Sequence, residues 1–215
     1  MRFLFLFSVW TLSHLGAAAQ DNATIAKKIL DEVNKRYAAL PSSETSFSIL
    51  IENAAGELTD SQVGKVYVKG DKYHLETDEM LRMSDGVTIW TYFRGEKEVQ
   101  ITAYEGNETE INLARLYKLY EKGYLLLLMG EESIEGQPYQ IIDLTPMDRT
   151  SPYFKIRLMV SKTTRLLFEA KIFSRNGTHY TYRINKIDTK PTPRENSYFI
   201  FDTAAFGDIE INDLR

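Results

Sequence analysis

The chain reads as a succession of short segments in which apolar and polar residues alternate, most of them ended by a tight polar turn. Phe47, Ile49 and Ile51 alternate with serines and Leu50, and Val66 and Val68 with Lys65, Tyr67 and Lys69. Tyr73 and Leu75 alternate with His74 and Glu76 after a Gly70-Asp71 turn, and Val99 and Ile101 follow the turn at Arg94-Gly95-Glu96. Period two sends successive side chains to opposite faces of a sheet, and turns too short to hold a crossover helix leave antiparallel neighbours. The sharpest stretch is Ser84-Asp85-Gly86-Val87-Thr88-Ile89-Trp90-Thr91-Tyr92. Asp-Gly makes the turn, and the strand after it puts Trp90 and Tyr92 on one face and Ile89 and Thr91 on the other. Two large aromatics on one side require an apolar cover, from the protein or from a ligand.

Further strands are expected over residues 139–144, 154–160, 166–173, 179–187 and 198–201, with Asn176-Gly177 as a hairpin turn. About ten antiparallel strands in one sheet curl into a barrel or half-barrel. Two segments break the pattern. Over residues 23–40, Ile25, Ile29, Leu30, Val33, Tyr37 and Leu40 recur at helical spacing, which predicts an amphipathic helix capped by Asp21 or Asn22 and ended near Pro41. Residues 112–130 are apolar nearly all round and predict a helix to Glu121, a break at Gly123 and a second short helix to Gly130.

The first residues have another meaning. Met1-Arg2, an apolar run over residues 3–15 and Ala17-Ala18-Ala19 have the form of an export signal cleaved near Ala19, leaving one domain over residues 20–215. No cysteine follows Leu15-Gly16, and the chain contains none at all, which removes lipid attachment there, disulfides, thiol catalysis and thiolate metal sites. A formal net charge of −4 argues against nucleic acid or an anionic membrane as the main partner. His74 and His179 stand alone on strands, and no nucleophile elbow, metalloprotease motif or phosphate loop occurs. The carboxylate pairs Asp31-Glu32, Asp78-Glu79 and Glu131-Glu132 read as solvated surface, although acids on separate strands meet only in the fold.

Taken in order, the N-terminal helix, Gly64-Lys65-Val66-Tyr67-Val68-Lys69, Lys72-Tyr73-His74-Leu75-Glu76, the Ser84–Tyr92 stretch, Glu98-Val99-Gln100-Ile101, Asp143-Leu144-Thr145-Pro146 and the closing Asp213-Leu214-Arg215 resemble the LolA family. These are periplasmic carriers that move lipoproteins from the inner to the outer membrane of Gram-negative bacteria. The resemblance implies a mainly β protein with helices (α+β): an unclosed antiparallel β half-barrel, with an N-terminal helix and a mid-chain helical lid over a concave apolar cavity. It implies a non-enzymatic, monomeric periplasmic carrier without cofactor, acylated lipoprotein as cargo, an inner-membrane ABC-type release complex and an outer-membrane receptor as partners.

On that reading Phe47, Ile49, Ile51, Val66, Val68, Tyr73, Leu75, Trp90 and Tyr92 line the cavity, with the inward face assigned from side-chain size. Leu116, Leu119, Leu126 and Met129 close it from the lid. Many members carry an Arg-Pro pair after the strand matching residues 66–69, whose arginine holds the lid; here Gly70-Asp71 stands in its place, and Lys69, Lys72 and Arg82 are the nearby candidates to replace it. Envelope-stress regulators that bind lipidated or misfolded protein use the same half-barrel, so a sensor module is the alternative.

Overall fold

A computed structural model describes residues 14–104, 113–121 and 123–215. Helix α1 (His14–Ala38) is followed by twelve strands that form a single sheet. In chain order these are β1 (Ser43–Glu52), β2 (Leu58–Lys69), β3 (Lys72–Thr77), β4 (Met80–Ser84), β5 (Thr88–Phe93), β6 (Glu98–Ala103), β7 (Tyr124–Ile134), β8 (Gln137–Pro146), β9 (Tyr153–Ser161), β10 (Leu167–Ser174), β11 (His179–Asp188) and β12 (Glu210–Asp213). Spatially they run β12-β6-β5-β4-β3-β2-β1-β11-β10-β9-β8-β7, so β7 and β12 are edges that do not meet. All neighbours are antiparallel except β12, which lies parallel to β6. The sheet is therefore unclosed, and the long connection from β6 to β7 carries a 3-10 helix, Leu113–Glu121.

Turn chemistry fixes the hairpins. Gly86 has φ +92°, and the Asp85 carboxylate accepts from the Val87 and Thr88 amides at 2.9 and 2.8 Å. Gly177 has φ +87°, beside an Asn176 side chain that accepts from Thr178 at 2.9 Å. Both turns were legible in the sequence.

Each half of the sheet is covered on a different face. Ala26, Ile29, Leu30 and Val33 of α1 lie on one helical stripe and pack fully buried against Ile142, Leu144, Ile156, Leu158 and Val160. The 3-10 helix adds Leu116 and Tyr120 to this cluster. The face that α1 covers is called inner here. In β2–β6 the outer face is also covered, by the segment between β11 and β12. There Tyr67 packs on Tyr198 and Phe199, with ring centroids 5.7 and 5.9 Å apart, and His74 stacks on Tyr198 at 4.2 Å. Further along, Leu81, Met83, Tyr92, Val99 and Ile101 bury Phe201, with Trp90, Phe206 and Ile209 around them.

Three expectations are corrected. Helix α1 is already formed at His14, the first described residue, upstream of the expected Asp21 or Asn22 cap, while residues 1–13 of the expected leader lie outside the described residues. The second expected helix in the mid-chain insertion is instead the edge strand β7. Tyr124, Leu126 and Leu128 turn inward to α1 and Leu125 and Leu127 turn outward, so a run of leucines apolar in both periods resolved as a strand because pairing with β8 satisfies its backbone. The last expected strand, residues 198–201, forms part of the outer strap, with a 3-10 turn at Asn196–Phe199; the terminal strand is β12. Asn112 and Lys122 lie outside the described residues.

Candidate functional site

A cavity of about 250 Å³ opens on the inner face where β1, β2, β11 and β10 pass under the end of α1 and the 3-10 helix. Its walls are Phe47 from β1, Val66 and Val68 from β2, Tyr182 and Ile184 from β11, and Leu167 and Ala170 from β10. Leu116, Tyr117 and Lys118 form the roof with Tyr37, Ala38 and Leu40. The border is polar: Ser42, Ser43 and Thr45 on and just before β1, Asp71 in the β2–β3 turn, and Lys118.

Local sequence places each wall. Alternation on β1 and β2 brings Thr45 opposite Val66 and Ser43 opposite Val68, so four inward side chains share one patch. Phe47 faces Gly64, where a methyl group would lie 2.5 Å from the Phe47 ring and 2.8 Å from the Glu76 carbonyl oxygen. The missing side chain lets the ring lie across β2 instead of filling the space beside it. Tyr182 pairs with Ala170, whose small side chain leaves room above the sheet.

The roof is pinned to α1 by side chains. Tyr37 and Tyr117 stack with ring centroids 4.6 Å apart and planes 7° from parallel. The Tyr120 hydroxyl donates to Asp31 at 3.0 Å, and the Asn34 amide donates to Glu121 at 2.9 Å. The backbone amide of Leu167 donates to the Tyr37 hydroxyl at 3.3 Å, joining the end of α1 to β10. Burial pushes the Tyr37 phenol up, and it pushes Tyr182 up to about 12 with help from Tyr180. Both phenols therefore remain neutral, as an apolar cavity requires.

Four expected lining residues, Phe47, Val66, Val68 and Leu116, border the cavity. Ile49, Ile51, Tyr73 and Leu75 are in the cluster that continues the inner face beside it. Leu119 and Leu126 pack in the core between α1 and the sheet. Trp90, Tyr92 and Met129 are elsewhere. Register pairs Leu81 with Tyr92 and Met83 with Trp90, on the outer face under the strap, and Met129 is half-exposed at the β7 bulge. Side-chain size misassigned the face because the segment between β11 and β12 covers the outer face of β2–β6. Tyr37, Tyr117, Tyr182 and Ile184 were not singled out as lining, though Tyr37 already stood on the apolar stripe of the first helix.

The candidates to replace the family's arginine divide likewise. Lys69 donates to the Arg194 carbonyl oxygen at 3.3 Å and Lys72 to the Asn196 side chain at 3.0 Å, so both hold the outer strap. Arg82 is opposite Leu75 and faces inward. Of the acidic residues bordering the cavity, Glu169 accepts two bonds from Arg183, at 2.9 and 2.7 Å. No group of acidic or histidine side chains able to hold a metal occurs among the described residues, and none of their helices is long and apolar enough to cross a membrane.

No family model matches the chain. It is similar to the uncharacterized protein MJ0687 of Methanocaldococcus jannaschii, 23% identical over 163 residues, which are 74% of this chain and 47% of that protein. The chain thus spans about half the length of that curated relative. Among solved structures it is similar to an uncharacterized conserved protein from Thermus thermophilus, at 12% identity and a TM-score of 0.56, covering 88% of this chain and 99% of the other. Similar structures also include the LolA superfamily protein NE2245 from Nitrosomonas europaea, at 15% identity and a TM-score of 0.44, covering 82% and 97%. The Thermus likeness shows that this fold recurs as a whole chain.

Proposed function

We propose that the protein is an envelope carrier that shelters the acyl portion of its cargo in the inner-face cavity and moves it between membranes, with the 3-10 helix as a displaceable lid. The observation that carries this reading is an apolar cavity whose roof is held by side-chain contacts to α1. A site of this kind needs no catalytic group. Apolar contact is non-directional and graded by area, so cargo is held without a specific headgroup lock.

Magnitudes favour exchange. A cavity of about 150 Å³ takes one benzene ring, so this one holds on the order of ten carbons. Burying about ten methylenes at ~0.8 kcal/mol each gives roughly 8 kcal/mol before association costs. A single acyl chain partitions into a bilayer with a constant of about 10⁴ M⁻¹. Burial in the cavity and burial in a membrane are therefore of similar strength, and cargo passes either way.

Export near Ala19, a periplasmic location, lipoprotein cargo, an inner-membrane release complex and an outer-membrane receptor belong to this proposal. Native mass spectrometry of protein purified from the cell envelope tests it. The expected spectrum shows an acyl adduct that Val68→Glu removes. Absence of any apolar adduct, with no uptake of a fluorescent fatty acid by folded protein, would overturn it.

One observation favours a second reading, a regulatory binding module. The outer face of edge strand β7 exposes Leu125 at 62%, with Leu127 and Met129 beside it, and among the described residues no strand pairs with its far side. Leu125→Lys with Leu127→Lys should then abolish co-purification of a membrane-anchored partner while leaving acyl uptake unchanged. Retained co-purification would remove this alternative.

A further inference from the structure

We infer that the polar border of the cavity recognises the acyl linkage of the cargo, the neutral ester or amide carbonyl that joins a hydrocarbon chain to its head. This inference rests on the carrier reading and adds the group that the site binds besides hydrocarbon. Three features support it together.

The first is a change of chemistry along one strand face. Alternation puts Ser43, Thr45, Phe47, Ile49 and Ile51 of β1 on the inner face. Phe47, Ile49 and Ile51 are hydrocarbon and belong to the inner cluster with Val66 and Leu75. Ser43 and Thr45 carry hydroxyls, although their partners across the β1–β2 pairing, Val68 and Val66, are apolar. The cavity wall thus passes from hydrocarbon to hydroxyl between Phe47 and Thr45. A chain that lies on Phe47 places the atoms at its own head beside Thr45 and Ser43.

The second feature is that these hydroxyls lack protein partners. Ser43 is only 7% exposed, yet its hydroxyl, like those of Ser42 and Thr45, hydrogen-bonds to no group among the described residues. Side chains so deeply buried are ordinarily satisfied. From the roof Lys118 adds an ammonium that makes no ion pair among the described residues and lies 5.9 Å from the Tyr117 ring centroid. Glu169, also on the cavity lining, is taken by Arg183 at 2.9 and 2.7 Å.

The third feature is the balance of donors and charge. An ammonium only donates, and a hydroxyl donates as readily as it accepts. Cargo that enters strips water from these groups; a carbonyl oxygen replaces that water as acceptor, and a methylene does not. Asp71 and Lys118 supply one charge of each sign, so the border suits a neutral carbonyl better than an anion. Only the linkage is held. The head beyond it stays in water, and cargo with different heads is accepted.

Binding of a matched set to the full chain tests the inference: 1-dodecanoylglycerol (an ester), N-dodecanoyl-3-aminopropane-1,2-diol (the amide) and 1-O-dodecylglycerol (an ether), each by displacement of a fluorescent fatty acid. Chain length and head are the same in all three, and only the ether lacks the carbonyl. At least one acyl ligand should bind about tenfold more tightly than the ether, and the tighter of the two names the preferred linkage. Ser43→Ala with Thr45→Val should bring the acyl-to-ether ratio to about one. Thr45→Val alone keeps the side-chain volume, serves if the pair does not fold, and should lower the ratio about threefold. Acyl and ether ligands bound within twofold of each other, or a ratio that survives the double substitution, would overturn this inference and leave the carrier reading intact. If neither these ligands nor the fatty acid binds to folded protein, both fall.

Discussion

The two halves of this sheet meet the same demand in opposite ways. In β2–β6 the outer face carries large aromatics, and the chain covers them with its own strap. Tyr92 packs on Phe201 and Phe206 with ring centroids 5.6 and 4.8 Å apart, and Phe201 stacks on Phe206 at 4.5 Å. Around the end of α1 the inner face is equally apolar, but a short 3-10 helix roofs it and leaves space beneath. A strap that continues the backbone into a paired strand, β12 on β6, behaves as core. A roof held through side chains, by one ring stack, two hydrogen bonds and the buried Leu116 and Tyr120, behaves as a closure. The difference teaches that aromatic content alone does not locate a ligand site in a sheet covered on both faces; what matters is whether the cover is tied in by backbone.

Substitutions in the two regions should therefore separate stability from binding. Phe201→Ala empties the outer cluster and should cost about 3–5 kcal/mol in denaturant unfolding, with acyl uptake unchanged at temperatures where the protein is folded. Trp90→Ala, on the same face, should cost about 2 kcal/mol with the same indifference to ligand. Loss of acyl binding in a folded Trp90→Ala variant would erase the distinction. Val68→Glu acts in reverse. A carboxylate in the cavity wall should weaken uptake at least a hundredfold, about 2.7 kcal/mol, while its position near the polar border keeps the unfolding midpoint close to that of the parent.

Much of this arrangement is legible in the sequence, and the exceptions share a cause. The strands from β1 to β6 and β8 to β11 follow from period-two alternation, and Asp85-Gly86 and Asn176-Gly177 mark their turns by backbone chemistry that tertiary context does not change. Phe47, Val66 and Val68 border the cavity from those regular strands, and Leu116 borders it from the 3-10 helix. What alternation does not tell is which face looks at what. Trp90 and Tyr92 satisfy the rule for buried aromatics on either side of the sheet, and only the path of residues 190–209 decides between them. The five apolar residues 125–129 fit helix and strand equally, and the edge position of β7, set by pairing distant in sequence, resolves them. Tyr37 and Tyr117 stand far apart in the chain, and only the docking of the 3-10 helix on α1 makes them a pair.

Weakening the roof should give smaller effects, read in rate before affinity. Tyr117→Ala removes the stack on Tyr37, worth about 0.5–1.5 kcal/mol beyond its area, and should speed release of a bound fluorescent acyl probe by about three- to tenfold. An unchanged release rate would mean that cargo leaves by another route. Stability to urea should fall little, because Tyr117 borders the cavity and not the centre of the core.

The bond between Tyr120 and Asp31 sharpens the comparison through pH. Lys27 donates to Asp31 and holds its carboxylate below the usual range against the opposing effect of burial, and the bond from Tyr120 adds to this. A depressed carboxylate contributes in full above its unfolded value, near 3.8, and the contribution is lost as pH falls through the lower folded value. The Tyr120 phenol is pushed up to about 12, by burial first and then by its bond to Asp31. Its contribution is complete below pH 10 and is lost as pH rises through the folded value. Between these limits the roof anchor is constant, so release of the acyl probe should be flat from about pH 5 to about pH 9 and rise about two- to fivefold toward pH 11. Tyr120→Phe should release the probe about twofold faster at neutral pH and lose the alkaline rise, since nothing at that position titrates. A rise that survives in Tyr120→Phe would place the alkaline response outside the roof, in the general loosening of a sheet whose strap half carries no cavity to empty.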